Sequence, residues 1–191
     1  ADMSWYGKAQ HGKTEVRKEL GLIALAHRGV YVHQSSQATA SHLMAGVLKG
    51  LNKRRPALFN IYTPCPVEHG LPDDWSQHSA RLALESRAFP YLTFDPDAGR
   101  SWADCLSLDG NPSVEDDWPT YTLEYVDEDG SSKTMELPLT TADWAATEGR
   151  FKKHFKRIGN RDDGSDDLVR FDEYLVLSAA DREGKTPFIY M

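Results

Sequence analysis

The chain has 191 residues, 40% hydrophobic and 27% charged, with a formal charge of −7. That is enough for one sizeable domain or for a domain with an extension. The acidic balance argues against nucleic acid as a main partner, because phosphate contacts need clustered Lys and Arg. No run approaches the ~20 apolar residues of a membrane span, and the start, Ala1 to Trp5, has neither the basic flank nor the apolar core of a secretion signal. Two cysteines far apart, Cys65 and Cys105, without a CxxC, give no support to a disulfide framework, a zinc ribbon or an iron–sulfur cluster, and make a reducing cytoplasm the default compartment. The absence of Met at position 1 fits a trimmed or excised chain, or one that has lost its initiator.

In chain order, the first segment with a recognisable motif is Gly7-Lys8-Ala9-Gln10-His11-Gly12-Lys13-Thr14, which matches the phosphate-binding pattern G-x-x-x-x-G-K-[ST]. That motif works when a buried strand precedes the glycines and a helix follows, so that backbone N–H groups cradle phosphate. Here a helix follows, with Val16, Leu20, Leu22, Ile23 and Leu25 as its stripe, but only six residues precede. The match reads either as a P-loop or as a polar lead-in to that helix. His27-Arg28-Gly29 ends the helix, and Gly29 to His33 reads as a strand. Gln34-Ser35-Ser36-Gln37 is a polar loop, and Thr39 or Ser41 caps a helix running to Arg54. Leu43, Met44, Val47, Leu48 and Leu51 are its expected buried face; Lys49, Lys53, Arg54 and Arg55 form a solvated basic end.

Ala57 to Tyr62 is a second strand, running into Thr63-Pro64-Cys65-Pro66, where two prolines stiffen the loop. Cys65, Glu68 and His69 lie within five residues. They read either as nucleophile and base, or as a packed Cys and a loop His. A helix from Asp73 to Ala88, capped by Asp73 or Asp74, and a strand Tyr91 to Phe94 follow. Strands alternating with amphipathic helices predict an α/β fold with a parallel sheet. All three strand C-termini would then share one edge, where open α/β sheets bind ligands. Asp95 to Trp118 is loop-like. Thr120 to Val126 and Lys133 to Leu137 predict a β-hairpin appended to the sheet. Trp144, Glu148, Phe151, Phe155 and Ile158 predict a helix from Thr140 with one aromatic face and a basic remainder, either a docking surface or a solvated face. Gly159 to Asp167 reads as a loop, Val169 to Leu177 as a strand or short helix, and the apolar end, Thr186 to Met191, as a terminal strand or a cut. No histidine pair has metal-ligand spacing.

Lys13-Thr14-Glu15-Val16-Arg17-Lys18-Glu19-Leu20-Gly21-Leu22, Gly29-Val30-Tyr31-Val32, Tyr62-Thr63-Pro64-Cys65 with His69-Gly70, Ala83 to Tyr91, and Phe94-Asp95-Pro96 occur in an order and spacing that carry a resemblance. Over about residues 7 to 96 the chain resembles the C-terminal part of the thiamine-diphosphate domain of pyruvate:ferredoxin (flavodoxin) oxidoreductases and related 2-oxoacid:ferredoxin oxidoreductases. Thr140 to Phe155 resembles a C-terminal helix of that family. The resemblance implies oxidative decarboxylation of a 2-oxoacid, coenzyme A as acceptor, and electrons passed through iron–sulfur clusters to ferredoxin or flavodoxin. It implies a half-domain over 1–100 and an extension over 101–191 packed on it. The family's Gly-Asp-Gly magnesium–diphosphate motif would lie before Ala1, and Asp109-Gly110-Asn111 and Glu128-Asp129-Gly130 are poor substitutes. Thiamine diphosphate and magnesium are therefore expected in the parent enzyme and not on this chain alone, which is expected to be inactive by itself. By resemblance, Gln34, Ser35, Ser36, Thr63, Cys65 and His69 would line the cofactor crevice, and no residue of the chain is assigned a catalytic or metal-binding role. Expected partners are the remaining domains or subunits, ferredoxin or flavodoxin, and a second copy through an open sheet edge. Two other readings stay open: a non-catalytic module docking a partner through the basic aromatic helix, and a small P-loop nucleotidase.

Overall fold

The computed structural model describes residues 18–156 and 167–190. The P-loop-like segment Gly7 to Thr14, the helix start at Val16, the loop from Gly159 and the helix position Ile158 lie outside the described residues. The centre is a four-stranded sheet in the order β2-β1-β3-β4, with β1 Tyr31–Ser36, β2 Ala57–Tyr62, β3 Leu92–Phe94 and β4 Leu106–Ser107. Helix α1 (Leu20–Ala26) lies against one face of β1 and α2 (Ala40–Leu51) against the other. Alternation along β1 divides its residues between them. Val32 packs with Ala24, Leu25, Leu92, Phe94 and Cys105 on the α1 side. Tyr31, His33 and Ser35 face α2, where an added Cβ on Gly46 or Gly50 would run into the His33 or Tyr31 ring and His42 meets Ser35. The α/β class, the partial sheet and the flanking helices stand as expected.

The third strand does not. β1 and β2 are parallel, but β3 runs antiparallel to β1, with Val32 opposite Phe94 and Gln34 opposite Leu92. The reason is where the intervening chain travels. After β2, a short α3 (Pro66–His69) and α4 (Ser76–Glu85) stay at the C-terminal edge of β1, where the Gln77 side chain donates to the Ala38 carbonyl. Arg87, at φ 60°, then turns the chain, and the Gln34 amide donates to the Pro90 carbonyl as β3 begins. No crossover returns over the sheet, so the handedness rule for parallel re-entry does not apply. Asp95-Pro96 therefore sits at the opposite edge from the ends of β1 and β2.

Four other expectations are corrected. Gln34, Ser35 and Ser36 are not loop but the buried second half of β1. The buried face of α2 is Gly46 and Gly50, while Met44, Leu48 and Leu51 are 62%, 57% and 68% exposed; two glycines let the helix lie so close that larger side chains point outward. Its basic end is not simply solvated, since Lys49, Lys53 and Arg55 pair with Asp95 and Asp97. Neither Thr39 nor Asp73 nor Asp74 supplies a side-chain cap, the position before α4 being Trp75.

In the extension, α5 (Trp102–Cys105) leads into β4, which pairs antiparallel with β3. β5 (Thr120–Val126) and β6 (Ser132–Pro138) form the expected hairpin, but among the described residues it pairs with itself and not with the main sheet. α6 (Thr141–Thr147) begins at a capping box made by Thr140 and Asp143. It ends eleven residues sooner than the expected helix, whose last position would be Ile158. Glu148 is extended (φ −98°, ψ 122°), and a 3₁₀ helix, Gly149–His154, follows. A single continuous aromatic face does not form, because Glu148 turns inward. Toward the end, β7 (Leu168–Arg170), α7 (Phe171–Val176) and β8 (Thr186–Phe188) form a small unit in which β7 and β8 pair in parallel.

Candidate functional site

The parallel strands β1 and β2 end side by side, Ser36 opposite Tyr62, and their C-terminal edge gathers two polar clusters. The first lies under α2. Ser35 Oγ is 2.8 Å from His42 Nδ1, and Ser36 Oγ is 2.5 Å from the Tyr91 hydroxyl, which also donates to Thr39 Oγ1 at 3.4 Å. His42 stacks on Tyr91 with centroids 4.6 Å apart, and its other face meets His33 at 4.9 Å. His33 bonds Thr93 Oγ1 at 2.9 Å through Nδ1, and its Nε2 is buried without a hydrogen-bond partner. Burial, with His42 beside it, pushes the His33 imidazole down to about 4. Burial lowers His42 as well, against the opposing charge of Asp109. Both rings are therefore neutral near pH 7. Gln34 bridges β1, β2 and β3: it donates to the Pro90 carbonyl at 2.7 Å and accepts from Asn60 Nδ2 at 2.7 Å.

The second cluster lies behind the loop after β2. Pro64 and His69 are buried, while Thr63 and Cys65 are exposed. Gly70, at φ 67°, ends α3 in the left-handed region. A Cβ there would stand 2.9 Å from the Gly149 Cα, so the loop and the 3₁₀ helix meet backbone to backbone. That contact delivers Glu148, which is wholly buried. Its Oε1 accepts from the Tyr62 hydroxyl at 2.8 Å and Ser79 Oγ at 3.1 Å, and its Oε2 from Arg150 Nε at 2.5 Å. His69 Nδ1, buried without a hydrogen-bond partner, stands 3.4 Å from Oε1. Burial lowers the His69 imidazole, Arg150 adds to this, and Glu148 works in the opposite direction. Tyr62 is raised by burial first and by Glu148 second, and it stacks on Phe89 with centroids 5.1 Å apart.

The six residues singled out from the sequence thus divide three ways. Gln34, Ser35 and Ser36 are engaged inside the sheet, Thr63 and Cys65 face outward, and His69 is held beneath them. Cys65 and His69 belong to one loop, but the buried neighbour of His69 is Glu148. Sequence reasoning did not single out Glu148, Ser79 or Arg150 as functional, nor His42. Helical spacing makes Glu148 one position of a continuous stripe with Trp144, Phe151, Phe155 and Ile158. Beyond the edge, an open cleft of about 630 Å³ is bordered by Thr39, Gln77, His78, Arg81 and Asn111.

Among the described residues no three His, Cys, Asp or Glu side chains come together as a metal-binding group. No chemical step is assigned through a magnesium–diphosphate group. No described helix is long and apolar enough to cross a membrane.

No family-level sequence profile matches the chain. It is 30% identical over 102 residues to the pyruvate:ferredoxin oxidoreductase of Moorella thermoacetica, covering 53% of this chain and 9% of that protein. It is 30% identical over 84 residues to pyruvate synthase subunit PorB of Thermotoga maritima, 44% of this chain and 26% of that subunit. Against PorB of Pyrococcus horikoshii the identity is 26% over 151 residues, 79% of this chain and 42% of that subunit. The chain spans less than half the length of each. The chain is thus similar to proteins named as whole pyruvate:ferredoxin oxidoreductases and to proteins named as pyruvate synthase subunits, which supports the 2-oxoacid:ferredoxin oxidoreductase family.

Proposed function

We propose that the chain is part of the thiamine-diphosphate-binding domain of a 2-oxoacid, pyruvate-like, oxidoreductase, and that it works only together with the rest of its parent enzyme. Residues 1–100 contribute to the core of that domain and residues 101–191 pack against it. The ends of β1 and β2, with Thr63, Cys65 and His69 behind them, form one wall of the cofactor crevice, while diphosphate and magnesium are held by parts outside this chain. The observation that carries this reading is the unfinished side of the sheet. β2 is an edge strand, and beside it α2 turns Met44, Leu48 and Leu51 outward, more than half exposed. An edge strand flanked by an apolar stripe is a surface that a neighbouring element covers. The partial coverage of the longer relatives supports the same reading. Ferredoxin or flavodoxin would be met by the assembled enzyme.

Calorimetric titration with thiamine diphosphate and magnesium tests it, run on this chain and on the assembled parent enzyme. The expected result is binding by the assembly and none by the chain. Tight binding by the chain alone would overturn the assignment of the diphosphate donors to other parts. A parallel titration with ATP and magnesium checks the nucleotide-binding reading of Gly7 to Thr14; tight binding abolished by Lys13→Ala would replace the proposal.

A further inference from the structure

The candidate wall is held from behind by a residue that lies far from it in sequence. Glu148 is wholly buried and belongs to neither a regular helix nor a strand, since its extended backbone separates α6 from the 3₁₀ helix. Its carboxylate accepts hydrogen bonds from Tyr62 at the end of β2, Ser79 on α4 and Arg150 on the 3₁₀ helix, and His69 on α3 packs beside it with Nδ1 3.4 Å from Oε1. A buried carboxylate is costly to leave uncompensated, so its partners are drawn to it and fixed. Three of these partners, Tyr62, His69 and Ser79, flank or belong to the loop that carries Thr63 and Cys65. The Gly70–Gly149 approach leaves no room for the loop to shift toward the extension. Within the loop the backbone bonds are local, His69 N–H to the Cys65 carbonyl at 2.8 Å and the Gly70 and Leu71 N–H groups to the Pro66 carbonyl, the latter at 2.9 Å. A segment ordered mainly by such local bonds opens readily unless something outside it holds it.

We propose that Glu148 is a positioning residue, whose buried carboxylate clamps the Thr63–Gly70 loop to the end of β2, so that the extension sets the shape of the crevice wall. Thr63 and Cys65 keep their outward placement because His69 and Tyr62 are fixed beneath them. This deepens the reading of the preceding subsection and rests on it only for the identity of the crevice.

The test is amide hydrogen exchange and imidazole proton titration by NMR on the chain itself, comparing wild type with Glu148→Gln. Cofactor binding is not the readout, so failure here and failure of the functional reading are distinguishable. Loss of the charge should raise exchange at the His69 and Leu71 amides roughly tenfold, the effect of weakening charge-assisted hydrogen bonds that oppose local opening. Amides of β1 and of the β5–β6 hairpin should be unchanged. The titration midpoint of His69 should fall, because Arg150 and burial remain while the opposing Glu148 charge is gone. Unchanged loop exchange together with an unchanged His69 midpoint would overturn the proposal. So would a parallel rise at every amide, which would make Glu148 a support of the whole fold and not of the loop. Should Glu148→Gln fail to fold, Tyr62→Phe removes one donor from the same carboxylate and must raise exchange in the loop alone.

Discussion

Gly46→Ala examines how α2 is seated on the sheet. An added Cβ would stand 2.0 Å from His33 Cε1, 2.2 Å from Nε2 and 2.3 Å from Nδ1, far inside van der Waals contact. His33 cannot step aside: it is fully buried, bonded to Thr93 and pressed against His42. Relief would therefore lift α2 from the sheet, which also loosens the Tyr31 hydroxyl from the Gly46 carbonyl, 2.8 Å away. Overpacking of this kind costs ~3 kcal/mol or more at a site that cannot relax, against a gain of ~1 kcal/mol from replacing a helical Gly by Ala. The net loss of about 2 kcal/mol should lower Tm by about 4–8 °C for a chain of this size, read by circular dichroism on the purified chain. In a His33→Ala background the same substitution should be neutral or stabilising. An unchanged or raised Tm for Gly46→Ala alone would show that helix propensity decides at this position and that α2 is not held at glycine distance.

Three further outcomes are expected. Above pH 6.5 His33 is neutral folded and unfolded; as the pH falls from 6.5 to about 4 only the unfolded chain takes up the proton, so stability declines across that window by on the order of 3 kcal/mol. Tm measured from pH 7 to pH 4 should fall, and fall less in His33→Gln; equal slopes would contradict the assignment. Asp95 is nearly buried, yet Lys53 and Lys49 more than offset the effect of burial and hold its carboxyl at about 2. Asp95→Asn should cost about 2 kcal/mol in urea denaturation at pH 7, the contribution of hydrogen bonds to a charged group, and the difference from wild type should shrink as the pH drops below 3.8 toward 2. Leu48→Glu, on the outward stripe of α2, should change the stability of the chain by less than ~0.5 kcal/mol while preventing copurification with the rest of the parent enzyme; normal assembly would remove α2 from the proposed interface.

Local pattern carried much of this molecule. The hairpin was legible because Thr120 to Val126 alternates and Asp127 to Gly130 supplies the turn, and β5 and β6 lie where expected. The second strand, at Ala57 to Tyr62, was legible because a proline and a basic helix end precede it and Thr63-Pro64 follows. The resemblance rests on short motifs between residues 13 and 96, and relatives about 30% identical over part of the chain support it. The candidate loop, with Thr63, Cys65 and His69, was marked by its two prolines. The role of Glu148 was not, since helical spacing puts it on one face with Trp144 and Phe151 and gives no sign that Tyr62, Ser79 and His69 would be brought around it.

Local pattern therefore specifies an inventory: the α/β class, the second strand, the hairpin, most of the helices and a family resemblance. These follow from periodicities of two and of about four residues and from turn chemistry, which act over a few neighbours. Long-range packing sets the rest: β3 runs antiparallel, glycines and not leucines face the sheet on α2, and a carboxylate from the extension is buried against Tyr62 and Ser79 behind the loop after β2. Each depends on which path the chain takes between elements and on how closely two backbones approach. Such contacts join residues far apart in sequence, for Glu148 and Tyr62 a separation of 86 positions, and no local pattern encodes them.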